Sequence, residues 1–200
     1  MRTIVRSAIA ATLLVFAASA SADLADVPSG EYGLDKGHGY ITYTYDHQGY
    51  STPHIGFDSF DLTLTLDSAN PENSELNVTI DATSINSRVP AFDGHLNGPN
   101  FFDTANHPEI TFNSTGMKST GEGTYDVMGD LTIKGVAKPV TIAATIKKAG
   151  EHPRSKKPMI GVTGQAKVSR ADWGLTRAAP MVGDEITIHI SVEMPKKESD

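Results

Sequence analysis

No cysteine occurs anywhere in the 200 residues. Disulfides, thiol nucleophiles, thiolate metal sites, covalent haem attachment and a lipidated cysteine anchor are therefore excluded. Positive charge is scarce too: 17 Lys and Arg stand against 24 Asp and Glu, a formal charge of -7. Such an acidic chain repels nucleic acid and anionic headgroups, so nucleic acid is set aside as a partner. Apolar runs are short; the longest, from Ala8 to Ala18, has about half the roughly 20 residues of a bilayer-spanning helix. No phosphate-binding glycine loop, dinucleotide fingerprint or G-x-S-x-G elbow is present.

That early run has a different meaning. Arg2 and Arg6 precede it, and Ala20, Ser21 and Ala22 come after it as an A-x-A site. This is the pattern of a secretory signal peptide cleaved near Ala22. The expectation is a leader over residues 1–22 and one exported, periplasmic domain over 23–200, without stable membrane insertion. A domain without disulfides must be held by apolar burial, and the remaining chain is long enough for one such core. A homodimer remains open.

Strands dominate the rest of the chain. In FDLTLTLD, Phe60, Leu62, Leu64 and Leu66 alternate with Asp61, Thr63, Thr65 and Asp67; a strand sorts that pattern onto two faces, whereas a helix scatters it. The same period recurs at Ile41, Tyr43 and Tyr45, at Leu76, Val78 and Ile80, and at Ile110 and Phe112. It returns at Leu131 and Ile133, along Val140–Ile146, along Ile160–Val168, and finally at Ile186, Ile188, Ile190, Val192 and Met194. About eight strands result. Turn signals separate them at Asn70–Ser74, Gly121–Gly123, Lys134–Gly135 and Glu151–Pro158, and connections this short favour antiparallel hairpins. A single short helix is expected between Pro90 and Asn97, opened by Pro90 and ended by Gly98. It cannot cover eight one-sided strands, so their apolar faces must cover one another in a barrel or a sandwich.

A barrel of this size is either filled by its own side chains or hollow enough for one small ligand. Two features point to a cavity: strands that read as ten residues or longer, against a usual five or six, and the large apolar groups Phe92, Leu96, Phe101 and Phe102 near the mouth. Both also fit a tall, plugged sandwich.

Five motifs bear on the choice. The segment SINSRVPAFDGHLNGPNFFD at Ser84–Asp103 is succeeded by HPEITF at His107–Phe112, GDLTIKGVAKPV at Gly129–Val140, SRADWGL at Ser169–Leu175 and VGDEITIHI at Val182–Ile190. In order and spacing this set resembles the YceI-like family of periplasmic polyisoprenoid-binding proteins. The resemblance implies an all-β, eight-stranded antiparallel lipocalin-like barrel with a short helix near the mouth and an elongated pore for an isoprenoid chain or similar lipid. The chain departs from the family pattern around Asp93, Gly94, His95 and Leu96. Phe92 and Asn97 stand where the family commonly has basic residues, which weakens the case for a pyrophosphate head, since a phosphate needs donors or cations.

On that reading the ligand wall comprises Tyr43, Tyr45, Phe60, Leu62, Leu64, Val78, Ile80, Phe92, Leu96, Phe101, Phe102, Ile110, Phe112, Leu131, Ile133, Ile142, Ile188 and Ile190. Arg88, Asp93 and His95 are the candidates for the mouth and headgroup. No metal and no cofactor beyond the bound lipid is called for. Burying about 20 carbons at ~0.8 kcal/mol each gives roughly 16 kcal/mol gross, against about 4–15 kcal/mol of lost freedom. Binding would therefore be useful without any headgroup contact.

Two other classes stay open. Asp93, His95, Asp103 and His107 form the nearest thing to an acid/base cluster, with Asp93 and His95 the pair a hydrolase-type enzyme would use, although helix capping and hydrogen bonds that pin the mouth segment are the favoured explanation. A filled-core stress or scaffold protein acting through its surface is the third reading. Trp173 lines the cavity or seals the base of the barrel, the seal being favoured; Arg170 and Arg177 are read as surface or partly stacked, and His189 as facing solvent beside Thr187 and Ser191.

Overall fold

The computed structural model describes residues 22–198. The leader expected over 1–22 lies, apart from Ala22, outside them. In chain order the elements are β1 (Gly30–Gly33), β2 (Gly39–His47), β3 (His54–Phe57), β4 (Phe60–Leu66), β5 (Glu75–Asp81), β6 (Ile85–Asn86), α1 (Pro90–Asn97), β7 (Glu109–Gly121), β8 (Thr124–Ile133), β9 (Val136–Glu151), β10 (Pro158–Ser169) and β11 (Val182–Pro195). Alternation becomes burial as expected: in β4, Phe60, Leu62, Leu64 and Leu66 are buried and the residues between them are not.

All strands join one antiparallel sheet in the order β1-β4-β5-β7-β8-β9-β10-β11-β2-β3-β6. The count among the described residues is eleven, not eight. The eight strands of seven or more residues are those the alternation marks; β1 and β3 have four residues each and β6 has two, too few to display a period. Strand length also departs from expectation. β7 to β11 run to 13, 10, 16, 12 and 14 residues, but β2 has nine and β4 and β5 seven each.

The sheet curls into a half-barrel. Register shifts in β7, β9 and β11 mark irregularities of the bulge type, which add local twist to a strand and bend it. Gly129 on β8 permits a close crossing, since a Cβ there would lie 2.4 Å from Phe112 Cζ and 2.5 Å from the Asn113 carbonyl. Lys134 and Gly135 both have positive φ, 50° and 73°, as a tight two-residue hairpin between β8 and β9 requires.

The outermost strands, β1 and β6, do not pair with each other. Instead β1 meets the end of β11 through a bridge between Tyr32 and Lys196, and the Lys197 and Asp35 amides donate to Glu31 and Glu193 carbonyls, each at 2.8 Å. Side chains complete this seam. Gly39 has no Cβ because one would fall 2.7 Å from Leu34 Cδ1 and 2.9 Å from Phe60 Cζ.

Helix α1 has the predicted bounds, with Pro90 in its first turn and the Gly98 amide donating to the His95 carbonyl at 3.1 Å. The chain after it folds back, Phe102 donating to the Leu96 carbonyl and Thr104 to that of Asn97, both at 3.0 Å. Phe102 then packs edge-on to Phe57 of β3 at 5.8 Å and beside Tyr43 of β2 at 6.3 Å. Helix and return loop thus supply apolar cover to the inner side of the curved sheet. Among the described residues no helix is long and apolar enough to cross a membrane.

Candidate functional site: an apolar tunnel

The inward faces do not meet. They enclose a cavity of about 450 Å³, within the range of small-molecule sites. Tyr43 and Tyr45 of β2, Leu62 and Leu64 of β4, Val78 and Ile80 of β5, and Ile110 and Phe112 of β7 line it. So do Leu131 and Ile133 of β8, Ile142 of β9, Ile188 and Ile190 of β11, and Phe92, Leu96, Phe101 and Phe102 from α1 and its return loop. Gly164 on β10 leaves room for its neighbours, since a Cβ there would lie 3.0 Å from Ile142 Cγ2 and 3.6 Å from Ile190 Cβ.

Phe60 is the exception among the expected wall residues. It is in phase with Leu62, but at the first position of β4 it lies against Gly39, as Leu34 does, and off the cavity wall. The three mouth candidates also stay off the wall. Arg88 is exposed, with positive φ and its amide donating to Asn86 Oδ1 at 2.8 Å. His95 is exposed on α1. The Asp93 carboxylate accepts from the amide (2.7 Å) and the hydroxyl of Ser87, fastening the chain that enters α1.

Asp93, His95, Asp103 and His107 do not converge. Asp93 is held by Ser87 and Asp103 by Asn106. Among the described residues the one set of three potential metal ligands with atoms within 4.8 Å of each other is Asp35, His38 and Glu193. That set belongs to the seam, where the Glu193 amide donates to the His38 carbonyl and Asp35 bonds the His38 ring at 3.0 Å. The hydrogen bond to Asp35 raises the His38 pKa and, in return, lowers that of Asp35.

The polar end of the tunnel comes from elsewhere. Arg170, expected at the surface, is 8 % exposed. Its Nε donates to the Gly183 carbonyl (2.9 Å), Nη1 to those of Arg177 (2.9 Å) and Leu175, and Nη2 to that of Val182 (2.9 Å). One guanidinium thereby folds the whole 175–183 loop around itself. Trp173, 4 % exposed, lines the cavity at this same end and donates from Nε1 to the Leu131 carbonyl at 3.3 Å, so it does not seal the base. Gln48, Arg177 and Ala178 line the cavity and are themselves exposed, which makes this end the mouth. Among the described residues no carboxylate lines the wall. Burial pushes the hydroxyl pKa values of Tyr43 and Tyr45 upward, and neither hydroxyl has a hydrogen-bond partner among the described residues.

One lining residue is of a kind that alternation could not reveal. Leu24, in a single 3-10 turn at Leu24–Asp26, is 2 % exposed and reaches the cavity. His189 faces outward as expected but is half-buried, 3.1 Å from Thr44 Oγ1 and stacked on His54.

A one-sheet antiparallel half-barrel around a long apolar cavity defines a class of binding proteins, and the form is consistent with a lipocalin-like barrel. Residues 32–194 match the YceI-like domain, and the chain belongs to that family. Protein YceI of Escherichia coli is 35 % identical over 167 residues, covering 82 % of this chain and 86 % of that protein. The crystal structure of the Campylobacter jejuni YceI protein superposes with a TM-score of 0.70 at 27 % identity, covering 76 % of this chain and 90 % of that one. A structure described as a polyisoprenoid binding domain from Saccharophagus degradans, implicated in plant cell wall breakdown, superposes at 0.63 with 17 % identity, over 83 % of this chain and 98 % of that one.

Proposed function

We propose that this protein is a carrier that holds a long apolar lipid, a polyisoprenoid, an isoprenoid quinone or a similar amphiphile, for transport, storage or sequestration in the periplasm. It performs no chemistry on its cargo and uses no other cofactor. The single observation carrying this reading is the enclosed cavity, walled by aliphatic and aromatic side chains from nine strands and α1. Family membership and the polyisoprenoid named for the Saccharophagus domain support the same choice.

The tail occupies the tunnel and the head sits at the mouth. There the Tyr43 and Tyr45 hydroxyls, unpartnered among the described residues, and Arg177 offer donors, and no described carboxylate on the wall can receive a cationic head. A head that accepts hydrogen bonds, such as a quinone carbonyl, is favoured over an ammonium, because a buried donor left unmade costs about 1–3 kcal/mol. The filled-core reading has no support from a hollow interior, and the enzyme reading none from dispersed acid and histidine side chains.

Mass spectrometry of organic extracts from the purified protein tests the carrier reading. A stoichiometric long-chain lipid is expected. A protein that yields no lipid and fails to bind added isoprenols sinks it.

A further inference from the structure

Resting on that carrier reading, the geometry points to Leu24 as the floor of the tunnel and thus the residue that sets how long a chain it accepts. The β7–β8 turn lies at the end of the sheet away from α1, Trp173 and the 175–183 loop. Leu24 lines the cavity together with Leu76, Met117, Tyr125, Ile146 and Met194, and the neighbouring Asp23 is bonded to Tyr125. Of these, Leu24 alone comes from outside the strands. Strand side chains form the sides of the tunnel and leave its end to be covered by something else.

The floor is built rather than merely draped. Asp23 and Asp26 form a reciprocal capping box, Asp23 Oδ1 accepting from the Ala25 amide at 3.1 Å and Asp26 Oδ2 from the Asp23 amide at 3.0 Å. The same Asp23 Oδ1 accepts from the Tyr125 hydroxyl at 3.0 Å, tying the turn to β8. Burial together with this carboxylate pushes the Tyr125 hydroxyl pKa up to about 12, so the donor keeps its proton throughout the physiological range. Beyond the turn, Val27 is 3 % exposed and the Tyr32 hydroxyl donates to the Pro28 carbonyl at 2.7 Å. The turn is therefore anchored on both sides of Leu24.

A fixed floor makes the tunnel a ruler. From Tyr125 to Ile133, both on the wall, the eight steps along β8 span about 27 Å, or roughly 20 Å along the axis at a barrel's usual strand tilt. Each carbon that enters adds affinity until the chain end meets Leu24. Further carbons must stay at the mouth, in water, and add nothing.

The test uses the full chain produced with its own leader, freed of lipid, and titrated with all-trans isoprenols from geraniol to solanesol. The emission of Trp173, the one tryptophan, reports binding from the wall itself. In the parent protein, affinity should rise with each isoprene unit and then level off. Leu24→Ala should move the plateau to a longer isoprenol, with about tenfold tighter binding at the new length. Leu24→Phe should move it to a shorter one, and this opposite-signed variant covers the case in which the alanine protein folds poorly. Tyr125→Phe, which keeps the ring and loses the tether, should blur the plateau. An unchanged plateau in the Leu24 variants overturns the ruler and leaves the carrier standing. A parent protein that binds none of the isoprenols overturns both.

Discussion

Replacing Arg170 with Met should cost more stability than any other single change at the mouth. Among the described residues the guanidinium makes four hydrogen bonds to carbonyls and no ion pair, so the substitution leaves acceptors behind and no stray countercharge. The Leu175 carbonyl belongs to a buried residue and loses its partner where water cannot replace it, for about 1–3 kcal/mol; the other three are partly reachable by water and contribute roughly 0.5–1.5 kcal/mol each. The total is about 2.5–7.5 kcal/mol, a large part of the 5–15 kcal/mol typical of a domain. With a urea m-value of about 2 kcal/mol/M, the unfolding midpoint should fall by about 1–4 M with m unchanged. Trp173 fluorescence follows the transition at the affected site. Arg170→Lys keeps the charge but not the fork, and should recover little of the loss. A midpoint for Arg170→Met within about 0.3 M of the parent would refute the claim that this side chain organises the loop.

Two further substitutions probe the frame. Gly129→Ala should destabilise by about 2–4 kcal/mol in the same urea assay, because its Cβ would strike both the Phe112 ring and a backbone carbonyl, and the latter has little room to move. The Asp35–His38 pair at the seam should show in the pH dependence. The raised His38 pKa stabilises below its ordinary 6.5 and is lost as pH rises through the folded value; the lowered Asp35 pKa stabilises above its ordinary 3.8 and is lost in acid. His38→Asn should therefore lower the urea midpoint at pH 5 and leave it unchanged at pH 8; equal effects at both would exclude the charge as the cause.

The alternating stretches were legible because burial on one face imposes a period of two, and all eight appear as strands. α1 was legible to the residue, since Pro90 and Gly98 punctuate both ends of its eight residues. What escaped the sequence lacks such a signature. β1, β3 and β6 are too short for periodicity, and Phe60 obeys the period yet faces a seam that exists only in three dimensions. Arg170 has no charged neighbour to announce burial, because its partners are backbone carbonyls that every residue possesses. The αL glycine after Trp173, at φ 72°, was the one local hint that the SRADWG segment forms a compact turn. Leu24 is a lone leucine among small and acidic residues, and only the fold reveals that it stands at the tunnel's end.

The way β1 reaches β11 bears on the width of the bore. In a continuous ladder, girth is tied to the number of strands and their shear, so it changes only in steps. Here one line along the wall is joined by a bridge, a few amide bonds and the side chains of Leu34 and Phe60, both lying against Gly39. Circumference along that line follows the bulk of two side chains, so the same eleven strands can be tailored to slimmer or stouter cargo by trimming or enlarging residues that never touch it.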